Sequence, residues 1–402
     1  MIDLSSIIFL FYLMFLYIIR FMEVCWSLFS GIQKQLTEMV QDGQFNKFEI
    51  RTIIARRKCH NSVYGRDFDF VSWHQRFMPL EELSSPRWTL YCMTKDWVYF
   101  IHGHCSMKDY QQQFYDAWLL ARISVNQFKK LDQHVQLPHC KLVYMSNCPR
   151  SGTTLCTKML QAVDNIVALS EPGIFTHLSM LKKESAFSET DLHALIRSTF
   201  AHFCTTFDPD QTCVIKAQSN GGILVPDIVK AMPGVKHVFI HRRTLPKVLA
   251  SIERLFEVDK SATRLLRFNQ FDLSILNPWK RFEPDCWTAM EASDPLDVSF
   301  LWYIIPYSRY LKDKEAGIKF FEVVYEDLIT DPEKAIQDLF DFMGIRGDVK
   351  SSVARMEEDS QAGSLLRQER LANVPTSELT PEKMKLYNSV CRKLGIPDSF
   401  DV

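Results

Sequence analysis

A strand, a tight turn and a helix follow one another between residues 141 and 163. Lys141–Asn147 is a short apolar run, KLVYMSN, the turn CPRSG follows it, and Thr153–Val163 has the spacing of an amphipathic helix. Further apolar runs at 213–219, 235–242 and 319–328 each stand beside a helical stretch. Strands that alternate with helices form a mostly parallel sheet covered on both faces. The sequence therefore predicts an α/β fold with a mostly parallel central sheet flanked by helices.

The turn after the first of these strands carries groups suited to a phosphate. Backbone N–H groups of a tight turn and of a helix N-terminus can surround an anion, a glycine allows close approach, and an arginine adds a permanent charge. The candidate ligands are Pro149, Arg150, Ser151, Gly152, Thr153 and Thr154. An ordinary turn that caps a helix is the alternative. The Gly-Lys pair of nucleoside-triphosphatase loops is absent, which disfavours an ATPase, a GTPase or another P-loop phosphotransferase.

A second basic segment follows the run VKHVFIHR. Arg243 and Ser251 lie eight positions apart, so an arginine at the end of the strand and a serine in the following helix can grip one phosphate together. Arg242 is the alternative to Arg243 as the phosphate ligand, and Arg242 or His241 is a neighbour of this site.

These two segments resemble known motifs in their order along the chain. PRSGTTL is similar to the 5′-phosphosulfate loop of sulfotransferases that use 3′-phosphoadenosine 5′-phosphosulfate (PAPS), especially the membrane-associated and tyrosylprotein branches, where Arg replaces the Lys of cytosolic members. Arg243 to Ser251 resembles the 3′-phosphate motif of that family, and 323–345 resembles its late strand and helix. The resemblance covers roughly 141–345. It implies an α/β, P-loop-type three-layer fold with a mostly parallel central sheet flanked by helices. It also implies transfer of the sulfuryl group of PAPS to a hydroxyl acceptor, with PAPS as co-substrate and no metal.

The resemblance also suggests catalytic side chains. Glu171 follows Arg150 by 21 residues, the spacing at which tyrosylprotein sulfotransferases place their catalytic glutamate, so Glu171 is the candidate base. A helix-capping or ion-paired glutamate is the alternative, and His177 and His241 are lesser candidates. Lys216 resembles a strand-ending lysine that contacts the leaving oxygen; its alternative is a solvated strand end. Arg150, Glu171 and Lys216 form the predicted catalytic set.

The C-terminal part departs from the pattern of cytosolic members. Their R-K-G-x-x-G-D-W-K segment is absent, and 359–371 is the comparable stretch, with Gly363, Ser364, Arg367 and Arg370 as candidate lid and 3′-phosphate contacts. Arg367 is taken as the nucleotide ligand in this segment.

The N-terminus begins with a long apolar run. No charge occurs from Leu4 to Ile19, and the stretch to about Leu28 is long enough to cross a bilayer when tilted. The sequence predicts a single-pass membrane anchor at 1–32; the alternative is a buried or amphipathic helix packed on the catalytic domain. Basic residues after the run and the absence of an N-x-S/T sequon weigh against a Golgi-luminal enzyme. A Golgi or other endomembrane location stays compatible with the sequence, and the side of the membrane is left open.

The remaining boundaries follow from composition. Residues 33–62 are polar and basic and predict a stalk or linker, and 63–402 is the sulfotransferase-like domain. Within it, 63–140 is an N-terminal elaboration, with a strand pair in 88–100 and a helix from Tyr110 to about Leu131. The core is 141–345, and 346–402 supplies a C-terminal lid and helix.

Composition excludes some partners. With 47 basic and 48 acidic side chains the net charge is −1, so the chain as a whole does not attract nucleic acid. His102, His104 and Cys105 are the tightest group of metal-ligand types, but a fourth ligand at recognisable spacing is missing. The acceptor stays open among a glycan, a peptide tyrosine, a lipid and a small alcohol. The alternative function is a catalytically degenerate sulfotransferase-fold protein that serves as a membrane-tethered binding or scaffold module.

Overall fold

The computed structural model of the 402-residue chain describes residues 4–41, 46–57, 65–85, 87–104, 113–134, 140–205, 207–259, 289–358 and 371–396. The chain divides into two compact units. The N-terminal unit comprises 1–141, 169–213 and 230–233, and the core unit comprises 142–168, 214–229 and 234–402.

The elements are as follows. The strands are β1 (Lys47–Arg56), β2 (Phe70–Pro79), β3 (Trp88–Met93), β4 (Trp97–His102), β5 (Leu119–Ser124), β6 (Lys141–Asn147), β7 (Ile166–Ser170), β8 (Thr212–Lys216), β9 (Lys236–His241) and β10 (Phe320–Val324). The helices to residue 204 are α1 (Leu4–Ser30), α2 (Ile32–Gln41), α3 (Gln113–Asp116), α4 (Val125–His134), α5 (Thr153–Gln161), α6 (Gly173–Lys183) and α7 (Glu189–Cys204). The later helices are α8 (Val225–Ala231), α9 (Leu245–Asp259), α10 (Pro295–Glu315), α11 (Tyr325–Thr330), α12 (Pro332–Met343), α13 (Val349–Ala354) and α14 (Pro381–Lys393).

The parallel sheet has the strand order β10-β9-β6-β8-β7, and β9 pairs in parallel with both β6 and β10. Alternation along β9 shows helix layers on both faces. Phe239 packs into a core that includes α9 and α10, whereas Val238 and Ile240 pack into a second core that includes α5 and α12. The chain therefore has the predicted α/β fold, with helices on both faces of a parallel sheet.

The N-terminal unit contains an antiparallel sheet with the order β2-β1-β5-β4-β3. Two of its strands differ from the sequence-based expectation. β1 lies within 33–62, where a stalk was expected, and β5 interrupts the helix expected from Tyr110 to about Leu131.

The reason for the first difference is that the charges of β1 are paired inside the unit. Glu49 is fully buried and accepts hydrogen bonds from Arg51 at 2.8 Å and from Arg122 of β5. Burial alone would raise the pKa of Glu49, but these two guanidinium groups hold it well below its usual range. Polar residues that predict a solvated linker therefore belong to a central strand.

The N-terminal helix α1 is 27 residues long. Its stretch Leu10–Ser30 is long and apolar enough to cross a bilayer, a property that signal sequences and buried core helices share.

Candidate active site

The turn predicted to hold a phosphate is fixed at the end of β6. Asn147 Nδ2 donates a hydrogen bond to the carbonyl oxygen of Ala217 at 2.7 Å, and the backbone N–H of Cys148 donates to Ile240 O at 2.9 Å. These bonds join the end of β6 to the chain beyond β8 and to β9. In parallel sheets, ligands bind where the strands end, and this is the edge that the turn occupies.

Two residues of the turn have left-handed backbone conformations. Arg150 has φ 59° and Gly152, the residue before α5, has φ 76°. A Cβ atom at Gly152 would lie 2.3 Å from Cδ2 of Tyr325, so only glycine fits against that ring. An arginine in this conformation costs on the order of 1–3 kcal/mol, and strain of this kind is concentrated at functional sites.

The turn is joined directly to the second basic segment. Arg150 Nε donates a hydrogen bond to Ser251 Oγ of α9 at 2.9 Å. Burial and the nearby Arg242 guanidinium lower the pKa of Arg150 below its usual value. Two arginines are thus held close enough to repel each other, an arrangement that a bound anion would relieve.

Ser151 supplies a further sign of an anion site. Its Oγ is buried and has no hydrogen-bond partner within the residues that the structure describes. A buried hydroxyl without a partner costs about 1–3 kcal/mol, and a phosphate oxygen would accept its hydrogen bond. Thr153 is buried in the first turn of α5, and Thr154 is half-buried beside it.

The two arginines after β9 have different surroundings. The Arg242 guanidinium stacks over the ring of Tyr325 at 4.4 Å, and its buried Nε lies 3.5 Å from Glu326 Oε1 without forming a hydrogen bond. Arg243 is more exposed, and its Nη2 pairs with Asp327. Arg243, the predicted ligand, therefore already has an anionic partner, whereas Arg242 shares Tyr325 with Gly152.

Tyr325 and Glu326 are part of this site, although the sequence placed them in the architecture of the domain. The Glu326 carboxylate accepts backbone hydrogen bonds from Arg243 at 2.9 Å and from Thr244 at 3.1 Å. It thereby fixes the start of α9, the helix that carries Ser251. The motif VVYEDL gives no chemical signal of this role, because an apolar strand followed by an acidic turn is common.

Lys216 lies at the end of β8 and is 2% exposed. The alternative of a solvated strand end is therefore wrong. A lysine that is taken out of water needs anionic or hydrogen-bonding partners around its ammonium group.

Glu171 directly follows β7 and has φ 58°, the same left-handed conformation as Arg150. It is half-buried, and Pro172 rather than Glu171 is the N-cap of α6, so the helix-cap alternative is not what the structure shows. Glu171 belongs to the N-terminal unit and Arg150 to the core unit.

The two histidines are less basic than an ordinary imidazole. His177 is buried in α6 with its Nδ1 2.8 Å from Gly173 O, and burial lowers its pKa to about 4. Burial also lowers the pKa of His241, whose Nε2 is 3.7 Å from Glu322. A base with so low a pKa holds a proton weakly near neutral pH.

The other candidate residues give less. Arg367, with Gly363, Ser364 and Arg370, lies outside the described residues, as does Cys105. His102 packs between Trp88 and Trp118, with ring centroids 4.7 and 5.4 Å apart. Among the residues that the structure describes, no group of three His, Cys, Asp or Glu side chains is arranged to hold a metal ion.

A protein-family model described as the sulfotransferase family matches residues 143–350, slightly more than half of the chain. The chain belongs to the sulfotransferase family. The matched region contains the turn at 147–155, Glu171, Lys216 and the segment from Arg243 to Ser251. No curated protein is significantly similar to this chain in sequence.

Solved structures that match this chain include two sulfotransferases and a dehydratase. A sulfotransferase domain from the curacin biosynthetic pathway is 12% identical with a TM-score of 0.35, over 64% of this chain and 98% of that one. A mouse sulfotransferase complexed with PAP, the desulfated nucleotide, is 12% identical with a TM-score of 0.35, over 66% and 88%. Retinol dehydratase, in a complex with retinol and PAP, is 12% identical with a TM-score of 0.34, over 70% and 90%. At TM-scores this low, membership in the family rests on the family model.

Proposed function

We propose that this sulfotransferase transfers the sulfuryl group of PAPS to a hydroxyl acceptor. The observation that carries the proposal is the hydrogen bond from Arg150 to Ser251 at 2.9 Å, which joins the two candidate phosphate sites. A nucleotide with phosphates at both its 5′ and 3′ positions needs two anion sites held at a fixed separation. The unpartnered hydroxyl of Ser151 and the neighbouring charges of Arg150 and Arg242 fit such a ligand.

In this proposal the turn holds the 5′-phosphosulfate. The backbone N–H groups at the start of α5 and the hydroxyls of Ser151, Thr153 and Thr154 donate hydrogen bonds to it. Ser251 and Arg243 bind the 3′-phosphate, with Arg242 as a neighbour, and Arg367 is proposed as a further contact. Arg243 then pairs with the phosphate instead of with Asp327, and the Ser251 hydroxyl donates a hydrogen bond to a phosphate oxygen.

The chemical step needs a base and a stabilised leaving group. The acceptor oxygen forms a bond to sulfur while the bond between sulfur and the 5′-phosphate oxygen breaks, and PAP leaves. Glu171 accepts the proton of the acceptor hydroxyl. Arg150 and Lys216 offset the negative charge that develops on the leaving phosphate, so the mechanism requires no metal.

The acceptor is proposed only as a class, a hydroxyl group on a glycan, a peptide tyrosine, a lipid or a small alcohol. Membrane attachment through α1 is part of the proposal, because its apolar stretch is long enough to enter a bilayer. A Golgi or other endomembrane location is compatible with such an attachment.

Two measurements on the full chain in detergent test this function. Calorimetry should detect binding of PAP, and ATP at the same concentration should bind at least tenfold more weakly. Labelled sulfate should pass from PAPS into one fraction of an extract separated into protein, glycan and lipid. ATP binding with indifference to PAP would instead indicate a phosphotransferase.

The second candidate, a non-catalytic binding or scaffold protein, has one observation in its favour. Arg150 and Arg243 each have a protein partner, Ser251 and Asp327, without a nucleotide. PAP binding without transfer to any of the three fractions would favour this candidate over the enzyme.

A further inference from the structure

Helix α1 exposes one continuous apolar surface. Thirteen of the eighteen exposed large apolar side chains in the described part of the chain belong to this one helix, and only 17% of its most apolar stretch is buried. We call these thirteen residues the outer face: Ile8, Leu10, Phe11, Met14, Phe15, Tyr17, Ile18, Phe21, Met22, Val24, Trp26, Leu28 and Phe29. Single exposed apolar residues are normal on a protein surface, but a large contiguous apolar patch marks a site that binds a protein or a membrane.

The opposite face of α1 is held to the N-terminal unit by polar contacts. Tyr12 donates a hydrogen bond to Phe68 O at 3.1 Å, and Arg20 pairs with Asp67 at 3.3 Å. Leu16 is buried between these contacts. The spacing of four residues places all three side chains of α1 on one face of the helix.

The strongest of these contacts involves Glu23. One of its carboxylate oxygens pairs with Arg51 of β1, and the other accepts a hydrogen bond from the backbone N–H of His74 in β2 at 2.8 Å. Arg51 is itself buried and also pairs with Glu49. Trp26 packs on Trp73 with ring centroids 5.6 Å apart. The contacts from Tyr12 to Trp26 extend along about 21 Å of helix.

These contacts conflict with a helix that crosses a bilayer. A crossing helix would have hydrocarbon on all sides for about 30 Å, so either α1 must leave the sheet or the sheet must enter the membrane. Leaving the sheet would strip Arg51 of one buried partner and expose Glu23 to hydrocarbon, which is strongly unfavourable. Moving the sheet into hydrocarbon would leave the N–H and C=O groups of its edge strands unsatisfied.

We propose that α1 lies parallel to the membrane surface, with its outer face in one leaflet and its Tyr12–Glu23 face on the N-terminal sheet. The occupant of the outer face is therefore the lipid bilayer. Both ends of α1 then lie on the same side of the membrane as the folded units. The preference of Trp and Tyr for the interface fits Tyr17 on this face and the half-exposed Trp26 at its border with the sheet.

A second copy of the chain fits the outer face less well. At about 100° per residue, the thirteen residues are spread over roughly half of the helix circumference, and a second helix packed along α1 would cover only a narrow stripe of them. A bilayer solvates an uncharged face over its whole width and length.

Depth measurements distinguish the two arrangements. Fluorescent side chains are placed singly at Phe11, Ile18 and Phe29 of the full chain, which is transferred from detergent into preformed phosphatidylcholine vesicles containing lipids brominated at known depths. Equal depths within one leaflet support the proposal. In a crossing helix Phe11 and Phe29 would differ by about 27 Å along the helix axis, with Ile18 near the centre, and that result would overturn it.

Variants and a protease test complete the experiment. Phe11→Glu with Phe21→Glu should weaken vesicle binding at least tenfold, whereas Ile329→Glu with Leu386→Glu, two exposed apolar residues of the core unit, should not change it. Protease added outside should remove tags at both termini. Protection of the N-terminal tag alone contradicts the proposal, and so does a stable dimer that does not bind vesicles. None of these results depends on sulfuryl transfer.

Discussion

Arg150 and Ser251 are 101 residues apart in sequence and are joined by a hydrogen bond of 2.9 Å from Nε to Oγ. The bond connects the turn after β6 to α9, the helix after β9. The bond uses Arg150 Nε as donor and Ser251 Oγ as acceptor, so the Ser251 O–H and the other guanidinium N–H groups can still donate hydrogen bonds to phosphate oxygens. The predictions below follow from that arrangement.

Replacing Ser251 should distinguish the 3′-phosphate site from the 5′-phosphate site. Ser251→Ala should weaken the binding of PAP by about 1–3 kcal/mol. It should weaken the binding of adenosine 5′-phosphosulfate less, since that nucleotide has no 3′-phosphate. Calorimetry with both nucleotides measures the difference. The matched control is Ser299→Ala, which likewise removes a helix hydroxyl, one that donates to Pro295 O at 2.9 Å. Equal losses for both nucleotides would mean that Ser251 acts through folding.

The two arginines after β9 should differ in the same comparison. Arg243→Ala should weaken the binding of PAP by about 1–3 kcal/mol and leave the binding of adenosine 5′-phosphosulfate nearly unchanged, if Arg243 pairs with the 3′-phosphate instead of with Asp327. Arg242→Ala should weaken both nucleotides, because Arg242 lies beside Arg150 and Tyr325. Asp327→Ala removes the competing carboxylate and should strengthen PAP binding. The opposite pattern, with Arg242 selective for PAP, would assign the 3′-phosphate to Arg242.

The sequence predicted the core unit well because its signals are local. The strand at Lys141–Asn147 and the start of α5 at Thr153 match the structure, since apolar runs and turn residues define both. It missed β1, because burial of Glu49 and Arg51 depends on Arg122 and Glu23, which are distant in sequence. Long-range charge pairing leaves no periodic pattern.

The sequence was less informative about the geometry of the candidate site. Motif order suggested that Arg150 and Ser251 bind the same nucleotide, but not that they form a hydrogen bond with each other. The left-handed conformations of Arg150 and Glu171 could not be predicted, because neither residue type favours them. Tyr325 was missed, since its contact with the glycine of the turn depends on the pairing of β10 with β9.

Gly152 should tolerate no side chain. Gly152→Ala would place a Cβ 2.3 Å from the Tyr325 ring at φ 76°, so the turn must shift. We expect a loss of about 1–3 kcal/mol in stability and at least tenfold weaker PAP binding. Gly234→Ala is the control, because its Cβ would meet nothing within 4 Å. Thermal unfolding and calorimetry of both variants test this, and normal PAP binding by Gly152→Ala would contradict the role of the turn.

Buried neutral histidines should make the fold sensitive to acid. Burial lowers the pKa of His202 to about 4, and its Nε2 lies 3.1 Å from Trp88 O. As pH falls below about 6.5, His202 becomes protonated in the unfolded chain but stays neutral in the folded chain, so stability decreases towards pH 4. His202→Gln should therefore lose about 2 kcal/mol less than the native chain between pH 7.5 and pH 5.

Thermal unfolding at the two pH values measures this difference. Phe100→Leu is the matched control, because Phe100 packs on His202 with ring centroids 5.0 Å apart and does not titrate. Its cost in stability should be the same at both pH values. An unchanged pH dependence in His202→Gln would mean that His202 titrates alike in the folded and unfolded chain.

Glu171 is the residue on which the proposed chemistry depends most. Glu171→Gln keeps the shape of the side chain but cannot accept the proton of the acceptor hydroxyl. General-base catalysis contributes about 10²–10⁴-fold in rate, so turnover should fall within that range while PAP affinity stays nearly unchanged. Glu184→Gln, at the C-terminal end of α6, is the matched control and should retain activity.

A glycine at position 171 distinguishes a catalytic role of Glu171 from a structural one. The left-handed conformation at φ 58° costs a glutamate about 1–2 kcal/mol that glycine avoids, so Glu171→Gly should stabilise the fold or leave it unchanged. Its turnover should nevertheless fall as far as that of Glu171→Gln. If both variants instead turn over almost normally, Glu171 only shapes the turn before α6. His241 would then be the base to test, by the same comparison of turnover with PAP affinity.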